Sequence, residues 1–411
     1  MIVLGEGCLY RIAGDMADPG CMKETIWIQG RYASQYGLLG RMAEELRQAF
    51  VARGHDARLM DLVQDEHPSS GVFVFFNAPK SLDVLPRALF TPGSSLRGVQ
   101  IFVDHPFGLP DDVLDAWHER DGMANYRLCL PCVDDVHLLA MRWPRIRHDC
   151  MRHGISRDAL CDPASITRAG WDAREFDVVL TGSVGSKDEH DAILARLNPE
   201  VRVMIEQIIA LMVSQPAMGY LQASDVVMGA RGVITGKWAS TKLFWRLVIA
   251  EVNRQRRAAV VESLRGLRVG VFGSEEWKAY CTGSVSYEGL VGYEDVAGAF
   301  ARGRIGLAWG PTQFVHSSSE RVMLAMAAGC AAISDDRLMI RRDFVGQQTC
   351  VGLYNAGQPS TARGCVDKML ANPEAAVAMA RVGRSVVERG HLWEHRVDTI
   401  LAQPGVLAVG S

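Results

Sequence analysis

The sequence predicts an α/β protein made of two wound parallel sheets that face each other across a cleft. Three observations carry this reading. Short apolar runs of strand length recur along the chain, and helix-period stretches lie between them. The runs at 72–76 and 99–104 are apolar at nearly every position, as strands buried on both faces are. With 411 residues the chain is too long for one core, and the pattern starts afresh near residue 176.

The elements follow in order. A strand over 25–30 ends in Gly30. A helix over 35–53 places Leu38, Met42, Leu46, Ala49 and Phe50 on one face, and Gly54 stops it. Further strands are expected at 56–62, 72–76, 99–104 and 126–130. Residues 155–174 contain Pro163 and show no clear period, so the domain boundary is set within them, at residue 165. A strand at 176–180 then runs into a glycine-containing turn at 181–187. The stretch 191–263 is helical, clearest at 201–213 and 239–262, and reads as an insertion in the second domain. It holds Trp238, Phe244 and Trp245, which read as core, with a lid or an oligomer interface as the lesser alternative. Strands at 267–272 and 305–309 flank a helix at 293–301, and helices at 373–389 and 392–401 close the chain. The expected division is therefore 1–165, 166–386, and a closing helix and tail at 387–411.

Several function classes are excluded at this level. A net charge of -3 gives no electrostatic case for nucleic acid or an anionic membrane as partner. No apolar window spans a bilayer, and the first residues lack the basic region of a signal peptide, so a cytoplasmic location is expected. The one C-x-x-C, from Cys129 to Cys132, lacks a second ligand pair and reads as buried thiols. No metal-ligand spacing, Walker lysine, nucleophile elbow or dinucleotide fingerprint is present, so neither a metal nor a cofactor is expected.

Three places carry candidate chemistry. Residues 316–336, HSSSERVMLAMAAGCAAISDD, read as a serine turn, a helix, a glycine stop and a strand. Ser317 and Glu320 fit a capping box. Arg321, a cation in the first turn, opposes the helix dipole and calls for an anion. The amides of 318–320, the hydroxyls of Ser317, Ser318 and Ser319, and Arg321 together suit a pyrophosphate. Gly182, Ser183 and Lys187 form a second phosphate candidate, a glycine turn after a strand with a point charge beside it; the alternative is a plain loop with a solvated lysine. Asp104 and His105 end a buried strand at the cleft, where His105 is the candidate general base and Asp104 orients or replaces it. Gly30, Arg31 and Tyr36 lie on the neighbouring loop on the acceptor side, as contacts to acceptor or donor or simply as turn and helix start.

These pieces resemble one family. The run 267–336 is similar to the donor-binding half of GT-B glycosyltransferases, with V-F-G at 271–273, V-S-Y-E-G-L-V at 285–291, and L-A-M-A-A-G at 324–329. The turn at 181–187, the segment 30–61 and H-L-W-E-H-R at 391–396 agree in outline. The S-x-R-x-x-x-A-x-A-x-G form from Ser319 to Gly329 looks closest to the bacterial spore-maturation-type branch. The resemblance implies two Rossmann-like domains, a nucleotide-sugar donor, a hydroxyl-bearing acceptor and metal-independent sugar transfer. It places Tyr287 and Leu290 under the nucleobase. The family's ribose-holding Glu falls on Leu324, and its partner eight residues earlier falls on His316. Leucine accepts no hydroxyl hydrogen bond. Glu320 as a substitute, a different nucleotide pose, or lost catalysis are the alternatives. A nucleotide-sugar epimerase or hydrolase and a non-catalytic nucleotide-binding relative are the competing functions, and an oligomer is compatible with all three.

Overall fold

The computed structural model describes residues 23–32, 37–77, 84–108, 115–116, 119, 125–229, 238–346 and 349–401, leaving aside the side chains of 238–243. The first domain comprises β1 (Thr25–Gln29), α1 (Leu38–Ala52), β2 (Asp56–Met60), β3 (Ser70–Phe76), β4 (Ser95–Ile101), β5 (Tyr126–Leu130), α2 (Val133–Arg142) and β6 (Arg147–Cys150). Its strands form one parallel sheet in the order β2-β1-β3-β4-β5-β6. Alternate residues of β3 go to different cores. Val72, Val74 and Phe76 pack with α1, while Phe73 and Phe75 join the cluster on the other face. Both faces are covered, which explains the continuous apolar run.

The second domain contains α3 (Arg168–Asp172), β7 (Phe176–Thr181), α4 (Lys187–Leu194), α5 (Pro199–Ser214), α6 (Tyr220–Met228) and α7 (Trp238–Ser263). It continues with β8 (Val269–Phe272), β9 (Val285–Gly289), α8 (Val296–Ala301), β10 (Gly303–Ala308), α9 (Arg321–Ala327), β11 (Ala331–Asp335), α10 (Leu338–Phe344), β12 (Val351–Tyr354), α11 (Ser360–Ala371) and α12 (Pro373–Gly390). Helix α13 (Glu394–Leu401) follows. The sheet order is β12-β11-β10-β7-β8-β9, again all parallel. Two Rossmann-like sheets are therefore present, as the sequence predicts.

Three features matter for the site. The strand expected at 99–104 ends at Ile101, which frees Asp104 and His105 from the ladder. The chain passes between the two sheets through Gly154 and Ile155, and the Cys161 amide donates to Ala327 O of the second domain at 2.8 Å. It returns at Leu392 and Trp393, so α13 packs on α1 of the first domain. The two crossings touch: Ile155 N–H donates to His391 O at 3.1 Å, and Trp393 N–H donates to Ile155 O at 3.1 Å. A Cβ on Gly154 would lie 2.6 Å from the Trp393 backbone, so a side chain there would force the strands of this hinge apart.

The third feature is the insertion. Helix α7 has 26 residues and is about 39 Å long. Its Trp245, Val248, Ile249 and Val252 join the core beneath the first sheet, while Val260 and Val261 join the core of the second. One helix thus bridges both domains. Trp245 packs on His105 and Phe107 of the first domain, with ring centroids 5.2 and 6.1 Å apart. The expectation of core holds for Trp245, but that core lies between the domains.

Candidate active site

Strands β7 and β10 are neighbours in the sheet although β8 and β9 separate them in sequence. Crossovers leave this switch point toward opposite faces, which opens a crevice at the carboxyl ends of the strands. Gly182 stands there with φ +130°, a conformation open to glycine and costly for other residues. A Cβ on it would lie 3.3 Å from Trp309 Nε1 and 3.5 Å from Arg321 Nε. Gly182 O accepts the Trp277 indole N–H at 2.6 Å, and Trp277 stacks on Trp309 with centroids 5.8 Å apart. Two indoles thus floor the turn, and the Arg321 guanidinium covers it.

A second guanidinium enters from α7. Arg257 donates from Nη1 to Ser183 O, and its Cζ lies 5.5 Å from the centre of the Trp309 ring. Burial, followed by the nearby Arg321, pushes Arg257 down to about 9. Burial, and then Arg337, push its neighbour Arg256 down to about 10. Arg337 is neutralised by Asp335 at 2.6 Å and donates to Gly310 O at 2.7 Å and Pro311 O at 2.9 Å. A small hollow lies between Arg256, Arg257, Trp309, Asp335, Arg337 and Tyr354. Around it, Trp309 Nε1, Arg256 Nε, Arg257 Nε, Ser317 Oγ and Thr181 Oγ1 are buried with no protein partner. Buried donors seldom go unpaired, because each costs about 1–3 kcal/mol. Such a grouping, with surplus positive charge, is chemically suited to an anion.

The sequence candidates divide around this cradle. Gly182, Ser183 and Arg321 are part of it. The capping box is not formed: α9 begins at Arg321 with Glu320 at its cap, and no side chain caps it. Ser319 Oγ instead accepts from the Arg321 backbone N–H and from Nη1, both at 3.4 Å. Ser317 and Ser318 are buried beside it. Lys187 stays outside. It opens α4 and pairs with Asp191 one turn on, with 60% of its side chain exposed. Tyr287 OH donates to Gly273 O at 3.1 Å, which brings it to the cradle's edge. Leu290 lies past the end of β9 and is 58% exposed. Leu324 is buried in the core with the rest of α9, so its side chain does not reach the crevice.

His316 and Glu320 face the first domain. His316 Nδ1 donates to Asp134 Oδ2 at 2.7 Å, and this bond raises the imidazole above its ordinary range. Glu320 is buried with an oxygen 3.8 Å from His153 Nδ1. Burial opposes its charge, but His153 and Arg321 hold it down to about 2. Arg152 and Asp343 form another ion pair between the domains.

On the first domain, His105 and Asp104 point apart. His105 is buried. Its Nδ1 accepts the Phe107 N–H at 3.1 Å, and its Nε2 donates to the buried Asp135 at 3.0 Å. Both nitrogens are thus engaged, and neither is placed to take a proton from an acceptor. Asp104 has a solvent-open side chain at the foot of the cleft. Crowding by protein raises its carboxyl, and Asn77 Nδ2, donating at 3.3 Å, and His153 oppose that rise. Gly30 follows β1, and Arg31 pairs with Asp61 at 3.0 Å, largely exposed. Tyr36 lies outside the described residues.

Residues 254–402 match the family model described as glycosyl transferase-like. Among solved structures, an α-glucosyltransferase in complex with UDP and a 13-mer DNA containing an HMU base has a TM-score of 0.55 at 9% identity, covering 93% of this chain and 100% of that one. The T4 phage β-glucosyltransferase with UDP-glucose has a TM-score of 0.52 at 10% identity, with 93% and 100% covered. The fold is GT-B. The T4 phage enzyme with UDP and Mn2+ is similar at 0.50 and 9% identity, over 93% of this chain and 100% of that one. No curated protein matches. The family match covers the stretch holding Arg257, Trp309 and Arg321, the heart of the cradle in this GT-B fold.

Arg256 and Arg257 were not legible as site residues in the sequence. Their signal was there: adjacent arginines inside a helix turn about 100° apart, and between the apolar Val252 and Val260 at least one must face inward. Among the described residues, no group of three or more His, Cys, Asp or Glu is placed to hold a metal, and no helix is long and apolar enough to cross a membrane.

Proposed function

We propose that the protein is a glycosyltransferase that moves a sugar from a nucleoside diphosphate donor to a hydroxyl-bearing acceptor, of the spore-maturation type in its donor half. The unpaired buried donors around Arg257 and Arg321 carry this reading. The diphosphate would lie on the Gly182 turn between the two guanidiniums, with Trp309 Nε1 and the Ser317 hydroxyl as further donors. Negative charge builds on the diphosphate as the sugar departs, and fixed cations in a dry crevice stabilise it most at that moment. Two guanidiniums supply this charge from the protein itself, so transfer should persist in EDTA.

The sugar would extend toward the first domain, where Asp104 takes the acceptor's proton. A raised carboxyl open to the cleft suits a general base, and a base opposite the leaving group implies a single displacement with inversion. His105, locked between Phe107 and Asp135, instead braces the loop that carries Asp104. With Leu324 in the core, the ribose must find another partner. Glu320 is turned toward His153, so its place is nearer the sugar than the ribose.

Calorimetry with UDP, GDP, dTDP, ADP and CMP is the primary test. Binding of at least one is expected, and its loss in Arg321→Ala. Heat with none of them removes the proposal. Product analysis with donor alone separates transfer from epimerisation or hydrolysis. The acceptor panel should include oligonucleotides beside glycans and small alcohols, because one enzyme of similar fold was solved with DNA.

A further inference from the structure

Asn77 follows β3 with φ +52°, and it is the one non-glycine with positive φ among the described residues. Such a conformation costs of order 1 kcal/mol and persists only where surrounding contacts impose it. Four hydrogen bonds do so here. The Asn77 N–H donates to Ile101 O at 2.8 Å, and its carbonyl accepts from Gln100 Nε2 at 2.6 Å. Its side-chain Oδ1 accepts the Val103 N–H at 2.9 Å, and Nδ2 donates to Asp104 Oδ2 at 3.3 Å. Gln100 is itself fully buried in mid-sheet, and its Oε1 accepts from Tyr126 OH at 2.7 Å. A buried glutamine in a central strand is expensive unless both ends of its amide are used. Here they are used on a chain that ends at a carboxylate.

We infer that Asn77 is a positioning residue for Asp104, held in its left-handed turn by the buried pair Gln100 and Tyr126. The inference rests on Asp104 acting as the base. The Oδ1 bond fixes the backbone at Val103, one residue before Asp104. The Nδ2 bond fixes the carboxylate and favours its charged form. The other groups acting on Asp104 are His153 and Arg246, which favour its charge, and Glu320, which opposes it. Glu320 and Arg246 come from the second domain and the bridging helix α7, whereas Asn77 belongs to the first domain, as does His153, whose Nε2 donates to Phe102 O at 2.8 Å.

Two variants test this. Asn77→Gly accepts the φ angle without strain and removes both side-chain bonds. Asn77→Asp keeps the acceptor for Val103 and replaces the donor with a like charge. Both should lower kcat, by about tenfold to a hundredfold, with the donor KM changed by less than about threefold. The acid limb of the pH–kcat profile should move to higher pH in both, further in Asn77→Asp. In an Asp104→Asn background, Asn77→Gly should cost nothing more. If Asp104→Asn is inactive while Asn77→Gly keeps wild-type kcat and acid limb, the inference fails and the base assignment stands. A fully active Asp104→Asn overturns the base assignment and the inference with it. A fall in kcat without a moved limb also overturns the inference, since it would show a merely structural role.

Discussion

Replacing Arg257 by methionine should stabilise the protein without ligand and destroy its response to nucleotide. Burial and neighbouring guanidiniums pull Arg257 from 12.5 down to about 9. The group is still charged at neutral pH, so the native state bears the cost of keeping it so. At 1.36 kcal/mol per pK unit, this shift corresponds to roughly 4–5 kcal/mol. Its bond to Ser183 O and its contact with Trp309 return about 2–3 kcal/mol. The net gain on removing the charge is then about 2 kcal/mol. For a domain of this size that raises the melting temperature by about 4–8 °C. The bound diphosphate reverses the balance, because it supplies the missing partner. Thermal melts with and without a saturating nucleoside diphosphate read both effects. Wild type should gain stability with ligand. Arg257→Met should start higher and gain little. A variant that melts lower than wild type without ligand, and still rises with it, would refute the view of Arg257 as an unpaired cation awaiting an anion.

Other outcomes follow from the same geometry. Glu45 is buried at the hinge, accepts from Trp393 Nε1 at 3.1 Å, and is raised by burial to about 7. A carboxyl raised in the folded state binds its proton more tightly there, so stability is lost as pH climbs from about 4.5 to about 7 and stays lost above. Glu45→Gln removes this loss, worth up to about 3 kcal/mol. Its melting temperature should exceed that of wild type by more at pH 8 than at pH 5, and an equal difference at both would contradict the reading. At the cradle, a Cβ on Gly273 would lie 2.2 Å from Gly182 O, backbone against side chain with no flexible group to give way. Gly273→Ala should therefore weaken nucleotide binding at least tenfold by calorimetry with circular dichroism unchanged; unaltered affinity would place the phosphates elsewhere.

Much of the fold was legible because burial on both faces writes itself into a strand. Residues of β3, β5, β7 and β10 are buried at nearly every position, and their limits came within a few residues of the expected ones. Strand β6, Arg147-His148-Asp149-Cys150, left no such mark, because it lies at the sheet edge where only one neighbour shields it. Of the candidate site, the Gly182 turn and Arg321 could be picked out from sequence, and the structure brings them together. A glycine after a strand and a cation where a helix dipole disfavours it are local anomalies, and local anomalies show in sequence.

The sequence alone determined that there are two wound sheets, and it singled out Arg321 as a cation at the start of a helix. The tertiary structure decided which side chains gather around Arg321 and which stand apart from it. Arg257 reaches Ser183 over 74 positions of chain, because α7 must run back across the sheet before β8 can pair. Asp104 and His105 are adjacent in sequence, yet one opens to the cleft and the other is pinned by Asp135 and Trp245. Helical periodicity says that Trp245 is buried but not in which domain's core, and only the bridging path of α7 decides that. The physical reason is common to all three. A residue's type and spacing report how its own element is solvated, whereas a site is assembled from elements whose mutual placement is set by the packing of the whole chain.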